Sequence, residues 1–163
     1  MSTLYVQDTA GVYTPAGSDI ILREARNRIA RKFRRGSKIT APTDSKAFLQ
    51  LQLANEENEC FACIFLDNQH RVIQFRRLFE GTIDGTSVYP RVVVQQALAC
   101  NAAALIFAHN HPSGLATPSR ADKAITEKLQ NALKLMDIRV LDHWIIAGDD
   151  LYSFAEAGLL DAS

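Results

Sequence analysis

The sequence predicts an α/β protein, a single domain built on a mixed sheet and preceded by a basic helical arm. Three observations predict it. Apolar runs of strand length (Cys60 to Leu66, Val72 to Leu78, Ala102 to Ala108) alternate with segments whose apolar residues recur at helical spacing. The 163 residues suit one domain, and 47% hydrophobic with 22% charged residues can bury a core and excludes wholesale disorder. The longest apolar stretches, such as Ala102 to Ala108, are far short of the roughly 20 residues of a membrane span.

The elements follow in order. Residues 1–18 are polar, with Gly11, Pro15 and Gly17, and read as a loose leader. Asp19 can cap a helix to about Arg35, in which Ile21, Ala25, Ile29 and Phe33 recur every four positions and Gly36 ends the run. Residues 41–45 turn into a second helix with Phe48, Leu49, Leu51 and Leu53 as its apolar positions, broken by Asn55 to Asn58. A hairpin follows: Cys60 to Leu66, a turn at Asp67 to His70, and a return over Val72 to Leu78. Phe79 to Asp84 reads as a further strand ending at Gly85. Pro90 sits where a first helical turn tolerates proline, with an apolar helix over Val92 to Cys100. Ala102 to Ala108 is a buried strand, and His109 to Pro118 a loop. Ser119 opens a helix to about Met136 with Ile125, Leu129, Leu133 and Met136 on one face. Ile138 to Leu141 and His143 to Ala147 form the last strand region, followed by a short turn.

The net charge of zero hides an asymmetry. Residues 1–40 hold eight basic and three acidic residues, and the rest of the chain carries the opposite excess. The basic cluster, Arg23, Arg26, Arg31, Arg34 and Arg35 among it, can contact nucleic acid, an acidic partner or the acidic body itself. It lacks interleaved aromatics apart from Phe33, which argues for a solvated face. The first residues lack the basic start and apolar run of a secretory signal, and three cysteines make no disulfide framework, so a reducing, cytoplasmic setting is expected.

The chemistry lies in His109-Asn110-His111 and Ser119-x-x-Asp122. Histidines two apart on extended chain project to one side, so both imidazoles can reach one ion, and the intervening loop can fold Asp122 back towards them. Two nitrogens and a carboxylate oxygen suit Zn²⁺ with a fourth position left for water. Ser119 and Asp122 also fit a capping box, which by itself accounts for that pair but not for the two histidines.

The full string HNHPSGLATPSRAD (109–122) resembles the metal-binding signature of the JAMM (JAB, MPN+) metalloproteases, and more closely that of the RadC-like proteins. LDNQHRVI (66–73), FEGTIDG (79–85), YPRVVVQQAL (89–98), NAAALIFAHNHPSG (101–114) and LDHWIIAG (141–148) are similar to that family too. The resemblance runs from about Thr43 to Leu160 and implies a JAB/MPN-type, cytidine-deaminase-like sheet flanked by helices. It divides the chain into an arm (1–40) and a RadC-like JAB/MPN domain (41–163). Full-length members carry an N-terminal helix–hairpin–helix region; the 40 preceding residues show no such tandem, so the short form is expected.

The resemblance further implies a zinc-dependent hydrolase of an amide or isopeptide bond, with His109, His111 and Asp122 as metal ligands. A glutamate at the start of an early strand would be the general base; Glu59 fits, with Glu56 and Glu57 as rivals in the same break. Ser119 matches the serine that hydrogen-bonds the tetrahedral oxyanion. The alternative is a DNA-associated protein, repair-related or from a mobile element, in which the metal site is accessory or structural.

Other features read more blandly. Cys60 and Cys63, an odd number apart on a strand, point to opposite faces as buried cysteines, and Cys100 packs a helix. His70 is expected exposed and Trp144 in the core. Asp142-His143 is either structural or a pair orienting a ligand histidine. Asn110 and Ser113 shape the motif loop or line the cleft, and Gly81 and Gly85 are turn positions.

Overall fold

The computed structural model describes residues 3–81 and 87–161 of the chain. A small antiparallel pair, β1 (Tyr5–Gln7) and β2 (Tyr13–Pro15), precedes α1 (Ser18–Lys32) and α2 (Pro42–Leu53). Then come β3 (Cys60–Leu66), β4 (Val72–Glu80), α3 (Pro90–Ala99), β5 (Ala104–Asn110), α4 (Arg120–Lys134), β6 (Arg139–Ala147) and β7 (Asp150–Ser153). The five long-range strands form one sheet in the order β4-β3-β5-β6-β7, with β5 and β6 parallel and the other neighbours antiparallel. This is the mixed α/β architecture that the sequence predicts.

Strand alternation divides the core in two. From β3, Cys60, Ala62, Ile64 and Leu66 pack against Phe48, Leu49 and Leu53 of α2 and against Phe33 after α1. Phe61, Cys63 and Phe65 point the other way, onto Val93 and Ala97 of α3 and Leu129 and Leu133 of α4. With helices on both faces, β3 and β5 are buried along their whole length, which is why they read as unbroken apolar runs. The two β3 cysteines lie on opposite faces, and burial pushes the Cys60 thiol up to about 11 and that of Cys63 well above its ordinary value.

Several expectations need correction. The leader is not structureless, since it carries the β1–β2 pair. Helix α1 starts after Gly17, so Asp19 lies in its first turn rather than capping it, and Ala25 is exposed; only Ile29 and Phe33 reach the core. Met136 lies beyond the end of α4 and is 45% exposed. Two expected strand breaks are β-bulges. Leu78 is the extra residue where β4 continues to Glu80, and Leu141 the extra residue within a continuous β6. The expected strand over Phe79 to Asp84 is thus the end of β4 as far as Glu80; residues 82–86, with Gly85, lie outside the described residues. His70, at φ 59° in the hairpin turn, is half-buried rather than exposed, because Ile39 N–H bonds its carbonyl and Lys38 bridges to Arg71. The expected C-terminal turn contains β7, which pairs with β6 and leads to the fully buried Phe154. Trp144 is in the core as expected. Among the described residues no helix is long and apolar enough to cross a membrane.

Candidate metal centre

The strand β5 runs further than its apolar residues do. Expected to end at Ala108, it continues through His109 and Asn110 because both neighbours keep pairing: His109 lies opposite Phe61 on β3 and Ile145 on β6, and Asn110 opposite Ile146. His111 extends the line, its N–H bonding the Ile146 carbonyl at 2.8 Å. Alternation then aims His109 and His111 towards α4 and Asn110 to the other face. Past His111 the chain turns through Gly114, whose φ of 79° favours glycine, and the Leu115 carbonyl accepts from His111 Nδ1 at 2.7 Å.

The loop delivers α4 with its N-terminus at the histidines. Ser119 Oγ accepts from the Asp122 N–H at 3.1 Å, and Asp122 Oδ2 accepts from the Ser119 N–H at 2.6 Å. The capping box is therefore real, and it is also the device that holds the Asp122 carboxylate over the imidazoles. His109 Nε2 and His111 Nε2 are 2.9 Å apart; Asp122 Oδ1 is 3.1 Å from the first and Oδ2 3.4 Å from the second. Donors about 2.0–2.1 Å from a tetrahedral ion are separated by about 3.3 Å, so the observed spacings fit one shared cation. His109, His111 and Asp122 form a cluster that can hold a metal ion.

The electrostatics agree. Burial works to raise the Asp122 carboxyl, but hydrogen bonds from His109 and His111 outweigh it and hold the group well below the usual carboxylate range. His111 is raised, first by its hydrogen bond to Asp122. Phe61 stacks on His109 with ring centroids 6.4 Å apart and, with Phe107, walls in His143 behind it. His143 Nε2 lies 2.8 Å from His109 Nδ1, and burial holds its pKa well below normal. Of the Asp142-His143 pair, the histidine meets His109. The aspartate braces the strand end, accepting from the His143 and Ala155 N–H groups and from Ser153 Oγ.

Continuing the β3–β5 register sets Glu59 opposite His111, and the Glu59 charge is felt by that ring. Its backbone is tied by Gly81 N–H to the Glu59 carbonyl at 2.8 Å. The rivals are placed otherwise: Glu56 pairs with Arg77 at 2.8 Å, and Glu57 is exposed. Asn110 holds this loop. Its Oδ1 accepts from Cys60 N–H at 2.8 Å, and its Nδ2 donates to the carbonyls of Asn58 (3.0 Å) and Glu56 (3.3 Å). Asn110→Ala would leave the buried Cys60 N–H unsatisfied and is expected to cost about 1–3 kcal/mol. Urea unfolding of the two chains checks it, and unchanged midpoints would remove Asn110 as the clip of the Glu59 loop.

Arg23, Arg26, Arg28 and Arg31 on α1, and Arg34 and Arg35 after it, are all exposed, with Arg28 paired to Glu24 at 2.8 Å. Sequence reasoning missed Thr126, buried on α4. The signal was its place four residues after Asp122, on the face that also buries Leu129 and Leu133.

A sheet sandwiched between helices that brings two imidazoles from a strand end and one carboxylate from the next helix to a single point, where they could hold a metal ion, defines a domain of the JAB class. The chain belongs to the RadC-like JAB domain family, which matches residues 39–159. It is 58% identical over 140 residues to a UPF0758 protein of Thioalkalivibrio sulfidiphilus, covering 86% of this chain and 62% of that one. A UPF0758 protein of Marinobacter nauticus is 54% identical over 136 residues, covering 83% of this chain and 61% of the relative. One from Vibrio cholerae is 52% identical over 140 residues, covering 86% and 88%. The chain thus spans about three fifths of the length of the first two relatives.

Proposed function

We propose that the protein is a zinc-dependent hydrolase that cleaves an amide or isopeptide bond with an activated water. The observation that carries this reading is the convergence of His109 Nε2, His111 Nε2 and the Asp122 carboxylate within hydrogen-bond distances, with the Glu59 charge felt by the His111 ring. Zinc held by these three donors would supply Lewis acidity, lowering the pKa of water towards about 7. With the metal bound, Glu59 would be the residue to take a proton from the attacking water and return it to the leaving amine. Ser119 Oγ already accepts from the Asp122 N–H and keeps its own hydroxyl proton, which it can donate to the oxyanion of the tetrahedral intermediate. The buried face of the site, lined by Phe61 and Phe107, keeps bulk water from the inner side of the imidazoles.

The test is hydrolysis by the zinc-loaded chain of a panel of peptides and of lysine isopeptides, with and without a chelator. Cleavage that stops on chelation and returns with added zinc is the expected result. Cleavage indifferent to the chelator, or a wild-type chain that takes up no zinc, would overturn the reading.

A further inference from the structure

The metal-facing nitrogen of His109 is Nε2, so the state of that atom depends on what Nδ1 does. Nδ1 lies 2.8 Å from Nε2 of His143, a fully buried residue of β6. The other nitrogen of His143, Nδ1, is 2.6 Å from the hydroxyl of Thr126 on α4. That hydroxyl is also 2.6 Å from the main-chain carbonyl of Asp122, one helical turn earlier. The contacts close a ring: from Asp122 through Thr126, His143 and His109, then back to the Asp122 carboxylate 3.1 Å from His109 Nε2.

Proton directions along this chain are set from the Asp122 main-chain carbonyl, which can only accept. The single hydroxyl proton of Thr126 must point at the Asp122 carbonyl, since otherwise two sets of oxygen lone pairs would face each other at 2.6 Å. Thr126 Oγ1 then accepts, and the donor is His143 Nδ1–H. Among the described residues the polar partners of the His143 ring are a hydroxyl and an imidazole, with no carboxylate in contact to balance a charge, so its Nε2 carries a lone pair. That lone pair takes Nδ1–H of His109. Any further proton on the ring sits on Nε2, shared with the Asp122 carboxylate 3.1 Å away, and the Nε2 lone pair is the one a metal takes when that proton leaves. His111 is oriented in the same way by a shorter route, giving its Nδ1–H to the Leu115 carbonyl and turning Nε2 to the Asp122 carboxylate.

We infer that Thr126 and His143 are positioning residues whose hydrogen-bond chain holds His109 in the one tautomer able to ligate a metal. The inference rests on the reading of this cluster as a metal centre. Without the Thr126 hydroxyl, His143 Nδ1 has no acceptor. The ring then takes the opposite tautomer, donates from Nε2 to His109 Nδ1, and so moves the His109 proton onto the metal-facing nitrogen.

Thr126→Val keeps the side-chain shape and removes the hydroxyl; Thr126→Ser keeps the hydroxyl. Two-bond ¹H–¹⁵N spectra of the metal-free chain are expected to show His143 as the Nδ1–H tautomer in wild type and Thr126→Ser, and as Nε2–H in Thr126→Val. Zinc affinity, read by competition with a chromogenic chelator, is expected to fall roughly 10–100-fold in Thr126→Val and to recover in Thr126→Ser. A wild-type His143 in the Nε2–H form overturns the inference, and this spectrum decides even if Thr126→Val fails to fold. Equal zinc affinity in wild type and Thr126→Val also overturns it. A tautomer switch on Thr126→Val, together with a wild-type chain that has no affinity for zinc, supports the hydrogen-bond chain and sinks the metal reading instead.

Discussion

Purified with zinc and freed of excess, the wild-type chain is expected to retain close to one equivalent of metal, and His109→Ala and Asp122→Ala to retain none. The three donors sit at mutual distances of 2.9–3.4 Å on two segments, the end of β5 and the first turn of α4, so loss of one removes a third of the protein ligand set. At zinc 100-fold above Kd, the wild type gains about 2.7 kcal/mol. For a chain of this size that is a rise in Tm of roughly 5–10 °C, which both variants should lack. Asp122 also serves the helix cap, so alanine weakens α4 regardless of metal. Asp122→Asn separates the roles, because its amide oxygen can still accept from Ser119 N–H while the charge that attracts the cation is gone. Metal content by plasma mass spectrometry and the zinc-dependent shift in Tm check these outcomes. Full zinc retention in Asp122→Asn would leave the aspartate as a cap alone. Protons compete at the same place: His111 is raised by Asp122, so zinc affinity is expected to fall as pH drops through that raised value.

How much of this was legible depended on whether a residue's role is local. The apolar runs of β3 and β5, the helical period of α4, the capping box at Ser119 and the His-x-His pair are written in adjacent positions and were readable. The strands β1, β2 and β7 are three or four residues long and mostly exposed or half-buried, so no alternation marks them. The breaks expected at Leu78 and Leu141 are bulges, since an extra residue in a strand looks in one dimension like its end. His109 and Asn110 are poor strand formers taken for loop, and pairing of His109 with both neighbouring strands and of Asn110 with β6 overrides that preference. The roles of Asn110 and Thr126 depend on partners far away in sequence or across the sheet. Asn110 reaches a loop about 50 residues earlier, and Thr126 meets a histidine 17 residues later. Only the fold brings those partners together.

Glu59→Gln is expected to keep its zinc and lose hydrolysis by roughly 10²–10⁴-fold, the usual contribution of a positioned general base. The amide is nearly isosteric, so register, the tie from Gly81 to the Glu59 carbonyl and the metal donors should be unchanged, while the capacity to take a proton is gone. Geometry separates it from its neighbours. Glu56→Gln breaks an ion pair with Arg77 that is about one-third exposed on each side, worth little in stability. Glu57→Gln changes an exposed side chain. Both should therefore retain turnover within a few-fold of wild type on any isopeptide or peptide that the wild type cleaves. Rates for the three variants at matched zinc occupancy decide the assignment. Should Glu56→Gln be the inactive one, the base would have to leave Arg77 and the loop to rearrange around Asn110 on substrate binding. Should all three remain active, the proton would have to go elsewhere, and the register that sets Glu59 across from His111 would be a feature of folding alone.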